Sequence, residues 1–183
     1  MARQAALPPL LMATMTTIVA NQVETCFGCG AVVPTSELPG HRYVGSSPGC
    51  WAVYGTVLAR EYGEWRFPAI HRLTVDAYMV QHPGTPSRQS IQSVAVHLVG
   101  LFAVLELGLS SAQATQAVRR AVGQSDRFIW LEPPTHRGEL TVLDVADAAT
   151  LAKHEQIVRR WAQSVWQSWQ CHHATIRQWA NAV

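Results

Sequence analysis

The stretch SRQSIQSVAVHLVGLFAVLEL at residues 87–107 is the most apolar segment of this 183-residue chain. Its apolar residues recur at the three- and four-residue spacing of an α-helix and leave little polar face. They are Ile91, Val94, Ala95, Leu98, Leu101, Phe102 and Leu105. A helix that is apolar on nearly all sides needs packing neighbours on several sides. We therefore predict that this segment is the central helix of the fold.

Further helices are predicted around it, because apolar residues at helical spacing alternate with proline and glycine breaks. Ser47 followed by Pro48 is typical of a capped helix start, and Pro83-Gly84 is typical of a helix end. The additional predicted helices cover residues 46–63, 69–82, 110–122 and a last one from about 148 nearly to the C-terminus. Residues 139–145 are expected to be extended. The predicted fold class is mainly α, a single-domain helical bundle with an irregular, cysteine-containing N-terminal segment.

Length and composition predict one domain without a large charged surface. A chain of this length with 48% hydrophobic residues can bury one good core. We expect residues 25–183 to form that domain and residues 1–24 to be an irregular leader, since Pro8 and Pro9 interrupt its apolar run. The net charge of +2 comes from scattered arginines, with Lys153 as the only lysine. Neither a nucleic acid nor a membrane is therefore expected as a partner, whereas a small molecule and a homo-oligomer stay open.

Three cysteines in the N-terminal third predict a metal site. Cys26 and Cys29 are the ends of a Cys-x-x-Cys pair with glycines beside them, as in a zinc knuckle, and Cys50 is the next thiol along the chain. Thiolate and imidazole ligands together suit zinc, or another divalent transition metal. Reduced thiols at this spacing favour the cytoplasm over an oxidising compartment.

Four histidines lie on apolar, inward-facing helical stripes. His71, Tyr78 and His82 are separated by nearly whole turns and share one face of the second predicted helix. His97 lies on the central helix and His173 on the last one. Buried imidazoles need polar partners, so these four side chains are candidate metal ligands.

Four motifs resemble an uncharacterised family of small bacterial proteins, a domain of unknown function. They are CFGCG at residues 26–30, GCW at 49–51, HRLTVDAYMVQHPG at 71–84 and SVAVHL at 93–98. The resemblance covers nearly everything after residue 24. It implies that these positions are hallmarks of the family, and it implies no activity.

Two kinds of metal site follow from these residues. In the first, Cys26, Cys29, Cys50 and one histidine hold a closed, structural zinc ion. In the second, three of the four histidines hold a metal with an open position, and Tyr78 or Asp76 transfers a proton as a catalytic residue. Asp76 could instead simply pair with Arg72, four residues earlier.

The leading functional hypothesis is a metal-binding helical protein. In the catalytic version of this hypothesis, the protein is a metal-dependent enzyme that acts on a small molecule. The first alternative is a non-enzymatic interaction module whose fold is held together by zinc. The second is a thiol redox protein that uses Cys26 and Cys29, although the strand-then-helix context of such motifs is missing.

Overall fold

The chain is mainly helical, with one small sheet near its N-terminus. The computed structural model describes residues 22–66 and 69–181, so most of the predicted leader lies outside it. Strands β1 (Val23–Thr25) and β2 (Val32–Pro34) pair antiparallel, with Val23 opposite Pro34. The helices are α1 (Pro48–Tyr62), α2 (His71–Gln81), α3 (Arg88–Leu105), α4 (Ser111–Val122), α5 (Val142–Ala146), α6 (Leu151–Ser168) and α7 (His173–Asn181).

Helix α3 is the central helix, as predicted. It packs against α2, α4, α6 and α7, and Leu98, Val99 and Leu101 are fully buried. Within the described residues it is also the one helix that is long and apolar enough to cross a membrane by length and composition, with a mean hydropathy of 1.2. Half of that stretch is buried against the rest of the molecule, as expected of a core helix.

The predicted starts of α1, α3 and α4 are confirmed, and a side-chain cap is present at each of them. The hydroxyl oxygen of Ser47 accepts a hydrogen bond from the Cys50 amide at 3.3 Å, and Pro48 occupies the first turn of α1. Ser87 caps α3 in the same way, and Ser110 forms a reciprocal capping box with Gln113 at the start of α4. These contacts involve residues three apart in sequence, which is why the local sequence predicts them.

Two secondary-structure predictions are wrong. The stretch 139–145 was expected to be extended, but α5 forms there because Thr141 and Asp144 make a capping box that starts a short helix. The last helix was expected to be continuous, but it is interrupted at residues 169–172, where Trp169 leaves the α-helical backbone conformation (φ −90°, ψ 14°). A 3-10 turn, Gln170–His172, separates α6 from α7.

The C-terminal helices cover the central helix, as predicted. Helix α7 contacts both α3 and α4, and the ring of Trp166 on α6 lies against Phe102 of α3 with centroids 6.2 Å apart. Trp161, Trp166 and Trp169 are completely buried. These helices are therefore part of the hydrophobic core.

Candidate metal centre

The first two candidate ligands lie in the turn of the β1–β2 hairpin. Cys26 directly follows β1, and its amide donates to the carbonyl of Ala31 at 2.8 Å. The amide of Gly30 donates back to the carbonyl of Cys26, also at 2.8 Å, and Gly30 adopts a positive φ of 80° that favours glycine. The segment expected to be irregular is thus a tight hairpin, which holds the thiols of Cys26 and Cys29 on one side.

Two helices supply the other two ligands. Cys50 lies in the first turn of α1, and His82 follows the last residue of α2. The Sγ atom of Cys50 is 3.9 Å from Sγ of Cys29 and 3.5 Å from Nε2 of His82. The ligand atoms of all four residues lie within 4.8 Å of one another. Cys26, Cys29 and Cys50 lie close together, as their predicted shared site requires, and His82 is the histidine beside them.

These separations suit a tetrahedral metal ion. Zinc–sulfur bonds of about 2.3 Å and zinc–nitrogen bonds of about 2.0–2.1 Å place tetrahedral ligands roughly 3.8 Å apart for two sulfurs and roughly 3.6 Å apart for sulfur and nitrogen. The Cys29–Cys50 and Cys50–His82 distances are 3.9 Å and 3.5 Å. The four side chains are therefore arranged so that they could hold one metal ion.

The imidazole of His82 is oriented by its own helix. Its Nδ1 donates to the carbonyl oxygen of Tyr78 at 2.8 Å, which leaves the lone pair of Nε2 directed at the thiols. A second hydrogen bond of this kind is what normally fixes the tautomer of a metal-binding histidine. His82 is therefore prepared as an Nε2 ligand.

Glycines make room for this arrangement, and sequence reasoning missed that role. A Cβ atom on Gly28 would lie 2.4 Å from Cδ2 of His82 and 2.2 Å from the carbonyl oxygen of Gly45. A Cβ atom on Gly45 would in turn lie 2.8 Å from Cα of Gly84. The hairpin can approach His82 only because Gly28 has no side chain.

The three thiols shift one another's pKa values. Hydrogen bonds from Cys29 and Cys50 hold the pKa of Cys26 well below its ordinary value, against the opposing effect of burial. The same contact with Cys26 raises the pKa of Cys29 to about 11, and hydrogen bonds to both other thiols raise that of Cys50 further. These contacts favour ionisation of Cys26 over ionisation of Cys29 and Cys50, and a divalent cation would favour ionisation of all three thiols.

Tyr78, a predicted catalytic residue, lies beside the thiols. Its hydroxyl donates to Sγ of Cys50 at 3.6 Å, and its ring stacks on Tyr54 with centroids 3.8 Å apart. Burial raises the pKa of Tyr78 far above the ordinary tyrosine value. The phenol therefore stays protonated and acts here as a hydrogen-bond donor to sulfur.

The other three candidate histidines lie elsewhere, so the structure does not gather the predicted three-histidine site. Nδ1 of His71 is 2.6 Å from Glu61, and Nδ1 of His97 is 2.7 Å from Asp76. His173 stacks on Trp166 and donates to its carbonyl at 3.0 Å. Across residues 22–66 and 69–181, the Cys3His cluster is the one group of three or more potential metal-ligating side chains whose ligand atoms all lie close enough together to hold a metal ion.

Asp76 is a structural partner of two side chains. Its Oδ2 accepts from Nε of Arg72 at 2.9 Å, which confirms the pairing considered from their spacing, and Oδ1 contacts His97. The carboxylate is only 2% exposed. Its partners hold the charge in place.

Glu61 is a buried carboxylate that sequence reasoning missed. It accepts hydrogen bonds from Nε2 of His154 at 2.5 Å, from the hydroxyl of Thr74 at 2.6 Å and from Nδ1 of His71. Burial acts to raise the pKa of Glu61, but these hydrogen bonds outweigh it and lower the pKa to about 2. A fully buried, ionised carboxylate thus joins α1, α2 and α6.

Comparison with known proteins identifies the chain at the family level. The sequence model of a family of unknown function, DUF5946, matches residues 24–170. No curated protein and no solved structure matches the chain.

Proposed function

Because the chain belongs to this family of unknown function, we propose from the site itself that the protein is a zinc-binding helical protein. Cys26, Cys29, Cys50 and His82 are the proposed ligands. The observation that carries the proposal is that their four ligand atoms come from the hairpin, α1 and α2 and lie within 4.8 Å of one another.

The donor set favours a structural zinc ion. Thiolates together with an imidazole suit zinc, and four protein ligands fill a tetrahedron and leave no position for a substrate. The ion would tie the hairpin to the N-terminus of α1 and the C-terminus of α2. Of the two kinds of metal site predicted from the sequence, this arrangement supports the structural Cys3His site rather than the catalytic site of three histidines.

The same arrangement argues against thiol redox chemistry at Cys26 and Cys29. The thiols of Cys26 and Cys29 lie beside a third thiol, Cys50, and beside the oriented imidazole of His82. A redox pair that alternates between dithiol and disulfide requires neither of these additional groups. A site of reduced thiols also supports a reducing compartment, so we place the protein in the cytoplasm.

Elemental analysis of the purified chain tests the proposal. We expect one equivalent of zinc per chain in the unaltered protein. Cys29→Ser should lose most of that zinc and lower the free energy of unfolding by several kcal/mol, because the free energy of metal binding contributes to folding. Zinc content by mass spectrometry and thermal melting measure the two effects.

Cys171→Ser is the matched control, because Cys171 is an exposed cysteine outside the cluster. It should keep its zinc and its melting temperature. If Cys29→Ser keeps a full equivalent of zinc, the proposed ligand set is wrong. If the unaltered protein is isolated without metal and with a Cys26–Cys29 disulfide, the redox alternative replaces it.

A further inference from the structure

A cavity of about 560 Å³ opens between α2, α3 and α4, and its chemistry differs from that of the metal centre. Val75, Val96 and Val118 give it apolar walls, and His71, Arg72, Asp76 and His97 give it one polar region. His71 precedes His82 by roughly 16 Å along α2, at 1.5 Å per residue. The size and the mixture of apolar walls with a few polar groups are those of a small-molecule site.

His97 is an oriented base in this cavity. Its Nδ1 donates to Oδ1 of Asp76 at 2.7 Å, so the neutral ring carries its lone pair on Nε2. Nε2 has no hydrogen-bond partner in the part of the chain that the structure describes. Asp76 is itself fixed by Nε of Arg72 at 2.9 Å, and Arg72 also donates to the hydroxyl of Thr115 at 3.1 Å. A base held by a second group that is in turn held by a third is typical of a functional site.

A second imidazole with a carboxylate behind it lines the same cavity. Nδ1 of His71 contacts Glu61 at 2.6 Å, and Nε2 of His71 lies 3.3 Å from the hydroxyl of Tyr62. A carboxylate at Nδ1 stabilises the imidazolium form of a histidine. Both imidazoles are thus held at Nδ1 by a carboxylate, and the guanidinium of Arg72 adds a permanent positive charge beside them.

The helix backbone of α3 is shaped around the Asp76 carboxylate. A Cβ atom on Gly100 would lie 2.2 Å from Oδ2 of Asp76 and 2.7 Å from Nη2 of Arg72. Glycine inside a helix is less favourable than alanine. The fold accepts that cost at Gly100, and the space it leaves is filled by the pair that orients His97.

We propose that this cavity binds a small, largely apolar carboxylic acid, with Nε2 of His97 as the atom that pairs with the carboxyl group. The apolar chain of the ligand would pack on the valine walls. The carboxylate would face Nε2 of His97, whose ring is held at Nδ1 by Asp76. Starting from a free carboxylate and a neutral His97, binding takes up one proton from solvent, which bonds to Nε2.

The groups around His97 agree with that charge balance. On α2 they are His71, Arg72 and Asp76, with Glu61 of α1 behind His71. The polar lining from α4 consists of the uncharged hydroxyls of Ser111 and Thr115. The carboxylates of Asp76 and Glu61 are each held by arginine or imidazole donors.

Calorimetric titration of the full, zinc-containing chain with octanoate tests the proposal, with octanol as the neutral probe. We expect saturable binding of one octanoate, at least tenfold tighter than octanol. Repeating the titration in two buffers of different ionisation enthalpy should show proton uptake. No saturable octanoate binding at millimolar concentration, or octanol binding as tightly as octanoate, would overturn the proposal.

Three variants locate the bound probe. His97→Asn keeps a donor for Asp76 but lacks Nε2, so octanoate affinity should fall at least tenfold and proton uptake should disappear. Ala112→Phe puts a ring at an exposed cavity-lining position and should abolish binding. Gln116→Phe puts the same ring on an exposed position of α4 outside the lining residues and should leave binding unchanged.

Two results of this set would reject the site. Unchanged octanoate binding in both His97→Asn and Ala112→Phe would place the probe elsewhere. A second equivalent of zinc that is lost in His97→Asn would make the cavity a metal site instead. The zinc count of the Cys3His centre is independent of both results, because His97 is not one of its four residues.

Discussion

Gly28 and His82 share a space too small for one additional carbon atom. The hairpin turn passes so close to the imidazole that a Cβ atom at position 28 would overlap both His82 and the carbonyl of Gly45. The ring of His82 cannot move away easily, because its Nδ1 is hydrogen-bonded to the carbonyl oxygen of Tyr78 and its Nε2 faces Cys50. The arrangement of the four proposed ligands therefore depends on Gly28, which provides no ligand atom itself.

We expect Gly28→Ala to weaken zinc binding at least tenfold, within the range of about 10–100-fold that is found when the orientation of a ligand is disturbed. Gly55→Ala is the matched control, because a Cβ atom there meets nothing within 4 Å in α1. That control should keep its zinc affinity and gain about 0.5–1 kcal/mol of stability. Competition with a chromophoric zinc chelator measures both affinities, and equal affinities would contradict the steric account.

The ligand set was only partly predictable from sequence. Cys26, Cys29 and Cys50 were predictable, because two thiols at knuckle spacing with a third one nearby are typical of a metal site. The choice of His82 over His71, His97 and His173 depends on how the end of α2 docks against the hairpin, which periodicity does not determine. The spacing of residues indicates which of them share one face of a helix, but it does not indicate which element packs against that face.

At the scale of elements, the buried Glu61 network joins three helices. Glu61 belongs to α1, His71 and Thr74 to α2, and His154 to α6, and the carboxylate is completely buried. Its partners lie 10, 13 and 93 residues away in sequence. No local pattern marks such a contact, which is why the sequence did not reveal it, whereas capping pairs three residues apart were visible.

We expect Glu61→Gln to destabilise the fold by about 3 kcal/mol at pH 7, since removing one member of a buried charged network costs roughly 3–5 kcal/mol and an amide retains some hydrogen bonding. Urea unfolding measures the loss. Glu64→Gln changes an exposed glutamate in the same region and should leave stability within about 0.5 kcal/mol of the unaltered protein.

The pH dependence of stability gives a second test of Glu61. Its folded pKa of about 2 is below the ordinary value of 4.5, so its ionised form stabilises the folded state above pH 4.5. That contribution should be lost as the pH falls from about 4.5 towards 2. Unfolding measured across this range should show a steeper loss in the unaltered protein than in Glu61→Gln. Parallel curves would mean that Glu61 is not ionised in the fold.

At the scale of the whole molecule, the C-terminal segment is the part whose chain path was least predictable. Its apolar stripe correctly indicated that it covers α3. The interruption at residues 169–172 was not visible from the sequence. It coincides with the burial of both Trp166 and Trp169 and with a hydrogen bond from His173 to the Trp166 carbonyl. Side-chain packing outweighs helix propensity at that point.

We expect deletion of residues 166–183 to produce a chain that aggregates. The deletion removes Trp166, Trp169, Ile176 and Trp179, all of which are buried, and each large aromatic ring covers about 150–250 Å². Their loss exposes the apolar surface of α3 around Phe102, which Trp166 covers in the intact fold. Size-exclusion chromatography coupled to light scattering measures the aggregation state of the truncated chain.

His172→Ala, which changes a side chain outside the buried core, is the control and should elute like the unaltered protein. A truncated chain that stays monomeric and melts cooperatively at the unaltered temperature would show that α7 and the end of α6 are an appendage, and would favour the interaction-module hypothesis for that segment.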